Sequence, residues 1–253
     1  MKKILLTGTA LLVIASGSAM AADLSRPSAP APVYTKAPMI APFSWTGIYI
    51  GGDVGYGYAQ STGTVADPAG IFASVPYSFN VNGPLAGGFI GGNYQMGQLV
   101  VGAEADWQWA NLTGNSGSVP GFGGALTASS TVKSYGSARG RLGYAVDHWL
   151  FFGTAGWAWG TWSTSYGPTA GAVVATDNAT STKGWTAGAG IEYGFAAGWS
   201  GFLEYDYLGF GSDVATLKCT AAAAGCGPGG SNAIGISIRE NYHLVKSGVN
   251  FRF

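Results

Sequence analysis

IRENYHLVKSGVNFRF, residues 238–253, is the stretch on which the fold turns. From His243 onward its two faces separate. His243, Val245, Ser247, Val249, Phe251 and Phe253 fall on one side of a strand, and Leu244, Lys246, Gly248, Asn250 and Arg252 fall on the other. One face is mostly apolar and the other mostly polar. A soluble sandwich strand alternates in the same way, so this stretch alone leaves open an edge of a water-soluble sheet or a wall of a membrane barrel. A strand that closes a barrel leaves no free edge, and its last residues are held by the first strand, so such a chain can stop abruptly on Phe253.

The opposite end of the chain sets the compartment. Lys2 and Lys3 precede the apolar run Ile4 to Ala15, and Ala19-Met20-Ala21 supplies small residues before a cut, the pattern of a secretory signal peptide over residues 1–21. The run is shorter than the roughly 20 residues that span a bilayer as a helix. Without Lys2 and Lys3, 10 of the 12 basic residues remain against 12 acidic ones, a near-neutral balance that argues against a nucleic-acid partner. Charged residues make up only 9% of the chain, against roughly 25% in ordinary soluble domains. The long charge-free stretch from His148 to Thr176 is interrupted by Gly153, Gly156 and Gly160, and its Trp157, Trp159 and Trp162 favour strand over helix. With no spanning helix, a membrane reading has to be a β-barrel.

Residues 22–44 carry Pro27, Pro30, Pro32, Pro38 and Pro42 among alanines and read as an extended periplasmic linker. Residues 45–253 break into eight alternating segments of barrel-strand length: Trp45 to Ala59, Pro84 to Met96, Gln98 to Asn111, Thr131 to Val146, Trp149 to Trp162, Lys183 to Ala196, Trp199 to Gly211 and Ile238 to Phe253. Every later proline falls outside these segments or at the first position of one, as the missing N–H requires. The connections alternate. Gly97, Asp147-His148 and Ala197-Gly198 are tight, while Gln60 to Gly83, Leu112 to Ser130, Ser163 to Thr182 and Ser212 to Ser237 are long, the asymmetry of short periplasmic turns and long external loops. The expected fold is all-β, an eight-stranded antiparallel transmembrane β-barrel with both ends of the barrel in the periplasm.

The phrases WTGIYIGGDVGYGYA, GGFIGGNYQMG, SARGRLGYAV and SGVNFRF, with the leader and the Pro-rich linker, resemble the small outer-membrane proteins of alphaproteobacteria, the RopB type, also called outer-membrane immunogenic proteins. The likeness covers nearly the whole mature chain. It implies a barrel similar to the OmpA membrane domain, with surface-exposed loops. The terminal Phe253, behind Val249 and Phe251, also resembles the closing strand of many bacterial outer-membrane barrels. As partners this reading implies outer-membrane lipids including lipopolysaccharide, the barrel-assembly machinery through the C-terminal strand, and an external ligand or host surface through the long loops.

The faces follow from where the charges fall. Val101, Ala103, Ala105, Trp107 and Trp109 oppose Gly102, Glu104, Asp106 and Gln108; Leu203, Tyr205 and Tyr207 oppose Glu204 and Asp206; Leu142 and Tyr144 oppose Arg139 and Arg141. With the aromatic faces against lipid, Asp53, Glu104, Asp106, Arg139, Arg141, Glu192, Glu204, Asp206 and Lys246 are expected at similar middle depths as one interior network, with Arg139 and Arg141 paired to Glu104 and Asp106. Six carboxylates then face three cations. A tightly packed network makes the barrel a plug, the favoured reading; a hydrated one makes a narrow cation-preferring path. Trp45, Trp149 and Trp199 are expected in a periplasmic aromatic girdle, and Trp107, Trp109, Trp159 and Trp162 in one toward the loops.

Chemistry has few candidates. Cys219 and Cys226 are expected to form a disulfide within the last long loop. Two thiols without nearby histidines make a poor metal site, and no cofactor is expected. An outer-membrane lipid-modifying enzyme is the rival reading, but a serine nucleophile needs a base within reach. The histidines are His148 at a tight turn and His243, with Ser247 further along the same face. His243 reads as a lipid-facing residue, and the chain as a structural, surface-exposed barrel without a catalytic site.

Overall fold

The computed structural model describes residues 43–66, 75–117, 119–121, 124–168, 175–219 and 233–253. The leader and most of the linker lie outside these residues, and so does Cys226 with the expected disulfide. The described chain is strand almost throughout: β1 Gly47–Ala66, β2 Val75–Met96, β3 Leu99–Asn115, β4 Val119–Gly121, β5 Gly124–Val146, β6 Trp149–Pro168, β7 Ala175–Ala196, β8 Trp199–Cys219 and β9 Ala233–Arg252. Each long strand pairs antiparallel with its neighbours in sequence. Two further ladders, β1 with β9 and β3 with β5, close eight of them into a ring, while the three-residue β4 lies beside β5 outside it. The closing ladder runs without interruption from Tyr49↔Arg252 to Ala66↔Gly235. The ring therefore has no edge strand at that seam.

Three of the connections are two-residue turns, at 97–98, 147–148 and 197–198. Gly97, Asp147 and Gly198 hold left-handed φ values of 63°, 52° and 74°. Glycine reaches that region freely and aspartate tolerates it better than most residues, so each turn can reverse two strands without a longer loop. All three lie at one end of the barrel, with the long connections at the other.

The strands are longer than their sequence pattern indicates. β1 continues through Gln60 to Ala66 and β2 starts at Val75, so much of what reads as loop is paired ribbon, down to Val65↔Val75. The β1 extension is rich in Ser, Thr and Gly and carries no apolar alternation, whereas the start of β2 does alternate, with Tyr77, Phe79 and Val81 turned inward and buried. Pro84 is inside β2 rather than at its start. It keeps its place opposite Tyr56, while the β2–β3 pairing lapses between Asn82↔Thr113 and Leu85↔Ala110, where its missing N–H costs no bond. Register shifts gather at the loop end, between Trp109 and Leu112, Val132 and Ser134, Trp162 and Ser163, and Gly209 and Ser212. The turn-side half is regular but for one shift, between Gly194 and Ala196.

Candidate functional site

Alternation sends the charged residues of the barrel's middle to the inside, while Lys133 on β5 and Lys183 on β7, nearer the loops, are exposed. Asp53, Asp106, Arg139, Arg141, Glu192, Glu204, Asp206 and Lys246 are all buried, and Lys246 is only 2% exposed. Arg139 on β5 is the hub. Its Nη1 donates to Glu204 Oε1 at 2.9 Å and Asp206 Oδ1 at 2.7 Å on β8, across the lumen; its Nη2 meets Glu104 Oε1 at 2.5 Å and Asp106 Oδ2 at 3.2 Å on the adjacent β3. Lys246 on β9 closes the other side, with Nζ 2.6 Å from Asp206 Oδ2 and 3.6 Å from Glu204 Oε2. Neutral donors complete the acids. Ser137 Oγ donates to Asp106 Oδ2 at 2.6 Å, and Thr154 Oγ1 to Glu204 Oε1 at 3.2 Å.

A second tier lies nearer the turns and is centred on Glu192. Arg141 Nη2 pairs with Glu192 Oε2, Ser200 Oγ and Asn250 Nδ2 donate to Oε1 at 2.5 and 2.8 Å, and Arg252 Nη2 approaches the same oxygen at 3.5 Å. Glu104 joins the tiers: its Oε2 accepts from Tyr49 Oη at 2.8 Å and lies 3.7 Å from Arg141 Nη1. Arg141 also stacks over Phe152, 3.8 Å from the ring centroid. The expected pairings thus divide. Arg139 meets both Glu104 and Asp106, whereas the close partner of Arg141 is Glu192, two strands away. Asp53 sits apart, taking a bond from Gln108 Nε2 at 2.9 Å. That contact crosses β2 where Gly87 leaves room, since a Cβ there would meet Gln108 Cδ at 2.3 Å. Gly188 similarly makes room for Asp206, whose Oδ1 would be 2.1 Å from an added Cβ.

Sequence reasoning left Arg252, Tyr49, Gln108, Ser200 and Asn250 out of the network. Parity is the signal that finds them: Arg252 and Asn250 share the inward face with Lys246, and Gln108 shares it with Glu104 and Asp106. With Arg252 added, six carboxylates face four cations. The gap among Asp53, Glu104, Arg139, Arg141, Glu204 and Lys246 has a volume of about 10 Å³, about the room of one water.

Apolar layers stand on either side of this polar middle. Toward the loops, Val81, Leu85, Leu112, Tyr135, Trp162, Leu208, Phe210, Tyr242 and Leu244 form one buried cluster. Trp162 packs edge-on to Phe210 at 4.4 Å and donates from Nε1 to Tyr242 Oη at 2.9 Å. Toward the turns, Trp45, Val100, Ala145, Leu150 and Phe152 form another. Two girdle expectations are corrected here. Trp45, just ahead of β1, is fully buried beneath the lumen, and Trp162 is turned inside it because it has the parity of the inward residues on β6. Trp149, Trp199, Trp107, Trp109 and Trp159 do face outward.

The outer wall inverts the order of a water-soluble protein. Trp157 is 76% exposed, Trp109 66% and Val54 65%, while the charges are sealed within. The closing residues Val249 and Phe253 lie on that wall, with Phe251 half-buried against Trp199 at 5.0 Å. His243 is on it too, bonded through Nδ1 to Tyr205 Oη at 2.6 Å and packed on Tyr207 at 5.3 Å.

Residues 9–228 match the family described as outer membrane protein beta-barrel domain. The chain belongs to that family. Among curated relatives, this outer-membrane barrel is 35% identical to a 31 kDa outer-membrane immunogenic protein of Brucella melitensis, with both chains covered in full. It is 30% identical to a 22 kDa outer membrane protein of Rhizobium leguminosarum over 70% of each chain. Among solved structures, the outer membrane protein OprG of Pseudomonas aeruginosa superposes with a TM-score of 0.53 over 83% of this chain and 98% of that one, at 10% identity, a likeness of fold alone. The resemblance to the outer-membrane immunogenic proteins is thereby established, as is the eight-stranded outer-membrane barrel.

Proposed function

We propose that this outer-membrane barrel is a closed, structural and surface-exposed protein that supports envelope integrity and external contact. One observation carries the reading: the lumen is filled at three successive levels, aromatic, ionic and aromatic again, with room for about one water at the centre. The three turns and both ends of the barrel face the periplasm, and the long connections face outward to meet a ligand or host surface. Residues 1–21 are removed as a leader and residues 22–44 form a periplasmic arm. Lipopolysaccharide surrounds the loop-side girdle, and the barrel-assembly machinery reads Val249, Phe251 and Phe253 on the closing strand. A non-enzymatic role is supported by the surroundings of His243, whose described contacts are the tyrosines of the lipid-facing wall.

The excess of carboxylates over cations favours a second reading, a narrow cation-preferring path. Recording from the purified barrel in a planar bilayer separates the two. The closed barrel gives no steady conductance in potassium chloride; steady cation-selective openings overturn it.

A further inference from the structure

A pocket of about 490 Å³ opens at the turn end, between the turns at 147–148 and 197–198 and the two ends of the barrel chain. Its outer wall is Phe195 and Phe253, exposed by 56% and 72% on the lipid-facing side. Its inner side carries Ser44, Thr46, His148 and Arg252, and among the described residues no acidic side chain lines it. The half-buried ring of Phe43 stands at the boundary, 4.7 Å from Trp45 and 6.1 Å from His148.

Arg252 is the unexplained group. Its side chain is 4% exposed, and Glu192 reaches only Nη2, at 3.5 Å. Nε and Nη1 have no hydrogen-bond partner among the described residues. The rings of Trp45 and Phe43 cover the guanidinium at 4.9 and 5.6 Å from their centroids, which offsets part of the cost of burial but satisfies neither N–H. An arginine held in this way beside an imidazole and a serine hydroxyl, with Glu192 reaching one of its nitrogens, has N–H groups left over that are complementary to a phosphate oxygen. The phenylalanine wall continues into the lipid-facing surface, so the anion that fits is one carried on an acyl-chain lipid.

We propose that this pocket binds the phosphodiester headgroup of an inner-leaflet phospholipid, with Arg252 and His148 as its anchors and the Phe43 ring as the wall that turns aside to admit it. The proposal rests on the periplasmic placement of the turns. It does not rest on the closed lumen, which conductance tests separately.

Native mass spectrometry of the full barrel, released from detergent containing phosphatidylglycerol, phosphatidylethanolamine or a diacylglycerol with the same chains, reads the site. Wild type retains one phospholipid of either phosphorylated kind and loses the diacylglycerol. Arg252→Gln lowers retention about tenfold, the loss of one charge-assisted contact pair. Phe43→Ala raises retention, which a merely structural ring would not do. Heat-dependent gel mobility verifies that each variant is a folded barrel, and if Arg252→Gln does not fold, His148→Gln at the exposed turn carries the test with a loss of about threefold. Equal retention of diacylglycerol, undiminished retention by both variants, or displacement of the lipid by millimolar inorganic phosphate overturns the proposal, the last by making the site one for free anions.

Discussion

The ionic middle of the lumen and the aromatic layer above it occupy the same cylinder and come from the same inward positions, yet different physics holds them. In the middle, one guanidinium serves four carboxylates, and ion pairs reach across the lumen from β5 to β7 and β8 as well as to the adjacent β3. In the aromatic layer, Trp162, Phe210 and Tyr242 fill space through ring contacts and share one hydrogen bond. A charged network tolerates no missing member, since a lost partner leaves buried charge behind. A packed layer loses only volume and relaxes around the gap. The lesson is that space in the lumen is filled at more than one level, while its buried charge is balanced at one.

Arg139→Ala breaks the comparison most severely. It strips one cation from Glu104, Asp106, Glu204 and Asp206 together, and the expected loss is about 5 kcal/mol, the upper end for removing one partner of a buried ion pair. Urea unfolding of the barrel in lipid vesicles, followed by tryptophan fluorescence, measures it; a cost no greater than that of the Trp162 variant below would mean that water solvates the middle. Trp162→Phe tests the other layer with a smaller loss of about 2 kcal/mol, from volume and from the bond to Tyr242 Oη. A double-mutant cycle with Tyr242→Phe should return a coupling of about 1 kcal/mol, and a coupling near zero would remove the hydrogen bond from the account. Ser137→Ala sharpens the picture at its fine end. Asp106 loses a 2.6 Å donor but keeps Arg139, so about 1 to 1.5 kcal/mol is expected in the same assay.

The turn-side half was the more legible in sequence because its apolar and polar residues alternate strictly. Reading His243 to Phe253 by parity gives the face of every residue, and the structure places Lys246, Asn250 and Arg252 inside and Val245, Val249 and Phe253 outside. Trp162 shows what happens when chemistry is read before parity. Its composition groups it with Trp159 as a girdle residue, but an odd separation of three puts the two on opposite faces. The β1 extension is not legible, since Ser61, Thr62 and Gly63 lack the apolar alternation that marks a strand, whereas Val75, Tyr77, Phe79 and Val81 do alternate and carry the signal for the start of β2.

Strand periodicity, the inside and outside of each segment, and the order of short and long connections follow from neighbours along one chain and are written in the order of residues. The partners across the lumen are not, and they come from how the strands close into a ring. Strands in a closed ring are staggered, so residues at equal distances from their turns do not meet at equal depth. Arg141 therefore finds Glu192, 51 residues away on a strand it does not border, and Arg252 is drawn toward the same acid.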